Sequence, residues 1–151
     1  KPFISLEELL QNLVSYTDST AQAKQITLET HLTVSISVRG DSSQLTRLFS
    51  NLLENAIKYT ESGGKVTISL TRVKNLAVVT IEDTGIGIPA EYLPFLFQRF
   101  WRVEQNRTQQ QEGFGLGLAI AQTIVKQHQG KISVTSEMGV GSCFQVSLPL
   151  A

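Results

Sequence analysis

Asn51 and Asn55 in the run NLLENAIKY stand four residues apart, and Lys58 follows three further on. On a helix these two carboxamides and the ammonium fall on one face. Such a row can hold a hydrated divalent cation and the phosphates it bridges, since Mg²⁺ keeps most of its waters and takes few protein ligands. A solvated helix face would carry the same residues. Asp83 closes the apolar run AVVTIE and opens DTGIGIP. A carboxylate at the end of a buried strand is suited to accept a hydrogen bond from an exocyclic amine such as that of adenine, and equally suited to close a turn on its own backbone. The run GFGLGLAI, residues 113–120, sets glycine at 113, 115 and 117 just ahead of an apolar helical pattern. Glycine at that density makes a poor strand, whereas bare N–H groups at a helix start favour an anion such as phosphate. A flexible loop leading into a helix would read the same way.

The elements that must position these groups follow from periodicity. SLEELLQNLVSYTDSTAQAKQ has apolar residues at Leu6, Leu9, Leu10, Leu13, Val14 and Tyr16, one helical stripe with Ser5 as N-cap. ITLETHL and VSISVRG alternate at period two and read as short strands forming a hairpin. Asp41 then caps a long amphipathic helix through LTRLFSNLLENAIKYT, with Gln44 at its third position. After the turn SGG, KVTISLTRV and LAVVTIED form two strands joined near Lys74 and Asn75, the second apolar enough to be central. A short helix is expected around Glu91 to Arg99, and a polar, glutamine-rich lid from about 103 to 112. A third helix, LAIAQTIVKQH, follows, and GKISVTSE and SCFQVSLPL close the chain as a strand pair joined by MGVG. Helices set among hairpins predict an α+β two-layer sandwich.

With 151 residues, the chain is read as one domain with a single core, 1–151. Thirteen basic and thirteen acidic residues give no net charge, so nothing in the balance favours nucleic acid or a membrane surface. The one cysteine, Cys143, excludes an internal disulfide and any multi-thiolate metal site, reads as a sheet or core residue, and fits a reducing, cytoplasmic compartment. No apolar run approaches the roughly 18 residues of a membrane span. The opening residue, Lys1, points to a piece of a longer protein.

Taken in order, the Asn-rich helix, the Asp-Thr-Gly-x-Gly loop, the Phe-x-Arg-Phe segment, the Gly-x-Gly-Leu-Gly-Leu run and the terminal Gly-x-Gly-Ser resemble the ATP-binding catalytic domain of sensor histidine kinases. The resemblance covers nearly the whole chain. It implies a mixed sheet covered on one face by about three helices, with ATP beneath a lid, a fold shared with gyrase-type topoisomerases, mismatch-repair ATPases and a heat-shock chaperone. It implies that Asn55 coordinates Mg²⁺, that Asn51 lies near the phosphates, that Lys58 reaches them and that Tyr59 packs by the adenine. Asp83 resembles the adenine-reading aspartate, with Gly85 and Gly87 keeping its loop clear of the nucleotide. Phe97 and Phe100 match the phenylalanine box at the lid hinge, and Arg99 the arginine that stabilises the γ-phosphate. Gly113, Gly115 and Gly117 match the glycine box that approaches the triphosphate, with Leu116 and Leu118 beside them as core anchors. Gly139, Gly141 and Ser142 match the last box, at the nucleotide-facing end of the sheet.

The resemblance also separates kinase from hydrolase. The related ATPases carry a water-activating glutamate four residues before the magnesium-binding asparagine; here that position is Asn51. Glu54 lies about 100° around the helix from Asn55 and is no evident substitute. The γ-phosphoryl group is then expected to pass to a histidine on a separate dimerisation domain and on to a response regulator, with this domain monomeric by itself, cytoplasmic and out of direct contact with the membrane. Neither His31, on an expected strand, nor His128, at a helix end, has the sequence context of that acceptor. The rival readings are a hydrolytic ATPase or serine kinase of the same superfamily, and a degenerate module that signals by contact alone.

Overall fold

A computed structural model describes residues 2–98 and 109–151, with side chains described from 118 onward in the second stretch. The elements are β1 (Phe3–Ser5), α1 (Leu6–Ala23), β2 (Thr27–His31), β3 (Ser37–Arg39), α2 (Ser42–Lys58), β4 (Lys65–Val73), β5 (Leu76–Asp83), a short 3-10 helix (Ala90–Phe95), α3 (Gln109–Gln127), β6 (Lys131–Glu137) and β7 (Gly141–Pro149). Five strands form one mixed sheet in the order β2-β4-β5-β7-β6, and β1 pairs with β3 in a small separate ribbon. The expected α+β sandwich is present, and β5 is the central strand, as its apolar sequence requires.

The sheet is two-faced because its strands alternate. Val66, Ile68 and Leu70 of β4, Val79 and Ile81 of β5, and Phe144, Val146 and Leu148 of β7 are buried in one core with the helices. Thr67, Ser69, Glu82, Thr135 and Cys143 line the opposite, open face. The α2 helix supplies the thickest part of the core, burying Leu45, Leu48, Phe49, Leu52, Leu53, Ala56 and Ile57. Its start is fixed as the sequence predicts, by the Asp41 carboxylate accepting from the Gln44 amide at 3.1 Å. That start sets which residues of α2 face the sheet and which reach the edge of the core.

Three expectations change. The predicted β2–β3 hairpin does not form: β2 pairs in parallel with β4, Thr27 to Lys65, while β3 pairs antiparallel with β1, Ser37 to Ser5. Parallel pairing needs a crossover connection, and α2 supplies it. Ser5 is the N-cap of α1 as expected, but its side chain makes no capping bond, and it is also the last residue of β1. The third helix begins well before residue 118, at Gln109, so residues 109–112 of the expected lid and the glycine run 113–117 lie within it. Glutamine is a good helix former, and α3 extends through the glycines although each costs about 1 kcal/mol relative to alanine. The rest of the lid, 103–108, lies outside the described residues. Among the described residues no helix is long and apolar enough to cross a membrane.

Candidate functional site

The C-terminal turn of α2 brings the predicted helix residues together. Asn51 and Asn55 lie inside the helix, Lys58 is its last residue and Tyr59 its C-cap. The Lys58 ammonium sits 5.7 Å from the centre of the Tyr59 ring, within cation–π range. The Tyr59 side chain is buried, and burial pushes its phenol up to about 12, so the ring stays neutral. Asn55 Nδ2 is buried and has no hydrogen-bond partner among the described residues. An unmatched buried donor costs about 1–3 kcal/mol and marks a place where another group supplies the acceptor.

A helix end leaves carbonyls without partners. Here Lys24, just beyond α1, donates from Nζ to the carbonyls of Ile57 at 2.9 Å and Lys58 at 2.7 Å, and the Tyr59 carbonyl accepts from the Ile86 amide at 3.2 Å. The α2 terminus is thereby tied both to α1 and to the loop after β5. Lys24 carries no motif in sequence. A lysine after a helix is common, and its reach to another helix is a tertiary fact.

Opposite α2, the end of the sheet carries a polar row. Strand registers align Val66, Asp83, Ser142 and Ser136 across β4, β5, β7 and β6, one step beyond the apolar row of Ile68, Ile81, Phe144 and Val134. Asp83 is only 8% exposed. Its Oδ1 accepts from the Gly85 amide at 2.8 Å and the Ser142 amide at 3.2 Å. Burial raises its carboxyl above the ordinary range; the two amides pull the other way, and the charge of Glu82 adds to the rise. Asp83 thus closes the turn on its backbone through Oδ1, as one of its two sequence readings has it. Thr84 pins the same loop, its amide donating to the Lys65 carbonyl and its Oγ1 accepting from the Lys65 amide, each at 3.0 Å.

The glycines of this loop have a reason other than clearance for a ligand. A Cβ at Gly85 would run into the Tyr59 carbonyl, one at Gly87 into the Glu137 carbonyl, and one at Gly141 into the Asp83 carbonyl. Gly87 and Gly141 also have positive φ, 81° and 143°. Backbone meets backbone at all three. Gly139, with φ 80° and open space where a Cβ would stand, serves the β6–β7 turn.

Asn55, Ala56, Tyr59, Asp83, Gly87, Ile88, Ser142 and Phe144 enclose a cleft between α2 and the polar row, with about 10 Å³ of room, roughly one water molecule. A hollow of about 740 Å³ lies on the open face of the sheet. It lacks the asparagine helix, so the small cleft is the one that carries the convergent chemistry. Phe97 stands edge-on to Phe144, ring centres 6.5 Å apart, at the back of the cleft. Leu118 is fully buried, a core anchor as expected. Arg99 and Phe100 lie outside the described residues, as do the side chains of Gly113, Gly115, Leu116 and Gly117.

Sequence reading passed over Ser136. Its hydroxyl accepts from the Ile88 amide at 2.7 Å, reaches the Gly141 carbonyl at 3.1 Å and meets Ser142 Oγ at 3.0 Å. A serine two residues before a hairpin carries no local signal for such a role. The histidines are placed as expected. His31 ends β2, exposed and 3.5 Å from Glu29. His128 is buried, Nδ1 against the Ile124 carbonyl at 2.8 Å and Nε2 accepting from the Asp41 amide at 3.1 Å. Those bonds fix Nδ1 as the protonated nitrogen.

A buried carboxylate and an unmatched carboxamide line one cleft, and Lys58 ends the helix that carries the carboxamide. Residues 40–151 match the family described as histidine kinase-, DNA gyrase B- and HSP90-like ATPase. The chain is 42% identical over 148 residues to the sensor histidine kinase RppB of a Synechocystis strain, covering 93% of this chain and 32% of that protein. It is 38% identical to the adaptive-response sensory kinase SasA of Synechococcus elongatus, covering 97% of this chain and 38% of that one. The chain therefore spans about a third of the length of these relatives. Among solved structures, a mycobacterial sensor histidine kinase, MprB, superposes with TM-score 0.83 at 28% identity, covering 99% of this chain and 98% of that one. The catalytic domain of histidine kinase ThkA does so with TM-score 0.83 at 26% identity, covering 98% and 94%. With its fold, its ordered motifs and these relatives in agreement, the chain belongs to the histidine kinase-, gyrase B- and HSP90-like ATPase family, as an ATP-binding catalytic domain of the kind found in sensor histidine kinases.

Proposed function

We propose that this domain binds Mg-ATP in the cleft between α2 and the Asp83–Ser142 row, and that it passes the γ-phosphoryl group to a histidine on a separate helical dimerisation domain, for relay to a response regulator. The observation that carries the reading is Asp83, buried at the sheet end with Oδ1 accepting from two backbone amides; in the proposal Oδ2 takes the adenine amine. Asn55 Oδ1 is the proposed metal ligand, and the unmatched Nδ2 of the same amide supports a partner at this position. Among the described residues no three His, Cys, Asp or Glu side chains cluster to hold a metal. A cation resting on one carboxamide, waters and phosphates suits Mg²⁺. When bound, Mg²⁺ neutralises phosphate charge and fixes phosphate geometry.

The chain's own residues act by placement. Lys58 and Asn51 face the phosphates from α2, and Tyr59 lies beside the base. Gly113, Gly115 and Gly117 approach the triphosphate, Arg99 meets the γ-phosphate, and Phe97 with Phe100 anchors the lid; for these the support is the motif order. Phosphoryl transfer needs little covalent chemistry from the protein beyond positioning and charge neutralisation. Hydrolysis is disfavoured: Asn51 occupies the position of the family's catalytic glutamate, and Glu54 is exposed and held by the Ser50 hydroxyl at 3.0 Å. His128, with both nitrogens engaged in the core, is not an acceptor. The proposal places the domain in the cytoplasm, monomeric by itself.

Calorimetric titration with ATP, with and without Mg²⁺, beside a phosphate-release assay, tests this. Magnesium-dependent binding with little release is expected. Absence of binding refutes the nucleotide site, and rapid release refutes the kinase assignment.

A further inference from the structure

The polar row at the sheet end holds more information than the aspartate alone. Ser136 Oγ has one proton and two lone pairs, and three groups surround it. The Ile88 amide can only donate, so it occupies one lone pair, at 2.7 Å. The Gly141 carbonyl can only accept, so at 3.1 Å it takes the Ser136 proton. Ser142 Oγ, at 3.0 Å, must then donate into the remaining lone pair. This is the assignment in which every neighbour of Ser136 is matched. Its consequence lies one strand away. The Ser142 proton points toward β6, and the lone pairs of Ser142 Oγ are what it offers to the cleft that it lines.

We propose that Ser136 is a specificity-determining residue, which holds the Ser142 hydroxyl as an acceptor and so makes the base-reading edge of the cleft accept only. Ser142 and Asp83 are register partners, and the Ser142 amide binds Asp83 Oδ1. Their outward atoms, Ser142 Oγ and Asp83 Oδ2, are both acceptors and meet the same substituent of a bound base. A 6-amino purine brings donors to that edge; a 6-oxo purine sets a carbonyl lone pair against two others. Without Ser136 the Ser142 hydroxyl turns and donates, and its share of the discrimination is lost. The inference rests on the adenine-site reading above and adds the element that sets hydroxyl polarity.

The test compares ADP with inosine diphosphate, which carries a 6-oxo group in place of the 6-amino group, by calorimetry on the wild-type chain and on Ser136→Ala, Ser142→Ala and the double variant. Ser136→Ala is expected to bind inosine diphosphate better and to lower the ADP preference about two- to tenfold, the worth of one neutral hydrogen bond. In the Ser142→Ala background, Ser136→Ala should change the preference no further, since it acts through that hydroxyl. A Ser136→Ala preference equal to wild type, with ADP still bound, overturns the inference and leaves the adenine site standing. An equal loss in both backgrounds overturns it too, as a merely structural effect. If Ser136→Ala does not fold, Ser142→Ala carries the test: an undiminished ADP preference there overturns the proposal. Failure of the wild type to bind ADP overturns the site reading and this inference with it.

Discussion

Replacing Asp83 by asparagine should separate what the cleft costs from what it does. The side chain keeps its shape, and the carboxamide oxygen takes the place of Oδ1, accepting from the Gly85 and Ser142 amides as before. The carboxamide NH₂ then stands where Oδ2 was. A donor now faces the adenine amine, and a charge-assisted bond worth about 1.5–3 kcal/mol is lost, so ATP binding should weaken about 10- to 100-fold or more. Stability should move the other way. Burial raises the Asp83 carboxyl in the folded state, so over the range from its ordinary value up to the raised one the native chain binds more protons than the unfolded chain. A wild-type contribution present at acid pH is therefore lost as pH rises through that window, and Asp83→Asn does not share the loss. Urea unfolding at a series of pH values from 3 to 8, with ATP titration at neutral pH, reads both quantities. The variant should be as stable as wild type or more so near neutrality, with its advantage growing from acid to neutral pH. A variant less stable than wild type at pH 7, or one that binds ATP normally, would refute the reasoning.

Gly141→Ala places a Cβ against the Asp83 carbonyl at a φ of 143°, and should destabilise by about 2–5 kcal/mol in thermal unfolding, since strain and overpacking both act there. Lys24→Met removes the donor to the Ile57 and Lys58 carbonyls; a loss of about 1–3 kcal/mol is expected, and an unchanged melting temperature would show that water replaces it fully. Asn55→Ala should abolish most of the magnesium dependence of ATP binding while sparing or raising stability, because it deletes an unmatched buried donor. Affinity that still responds to Mg²⁺ in that variant would exclude Asn55 as the ligand.

What could be read from sequence depended on how local its cause is. The α2 helix was legible because a cap at Asp41 and an apolar stripe act within a few residues. The β4–β5 hairpin was legible because of its turn at Lys74 and Asn75, where Lys74 takes a positive φ of 56°. Strands β2 and β3 were found, but their partners were not. Alternation reports that a segment is extended and half-covered; it is silent on whether Leu28 will face Val66 in parallel across a helix. Gly85, Gly87 and Gly141 were singled out in the sequence as facing a nucleotide, whereas the neighbours that crowd them are the carbonyls of Tyr59, Glu137 and Asp83, distant in sequence or on another strand. Ser136 and Lys24 were invisible for the same reason. Each acts through partners that only the folded chain brings near.

The strand that carries Asp83 has a neighbour on either side, β4 and β7, paired along nearly its whole length. Its amides can meet deuterated solvent only when the sheet as a whole comes apart, so β5 belongs to the slowest-exchanging unit of the domain, whereas β2 at the sheet edge exchanges by local opening. The Asp83 end of the sheet is thus anchored in a strand paired on both edges. On the proposed reading, a rearrangement that admits a nucleotide is drawn from the loop that brings Gly87 and Ile88 to the cleft, and exchange protection in the presence of ATP should rise there while β5 stays as it was.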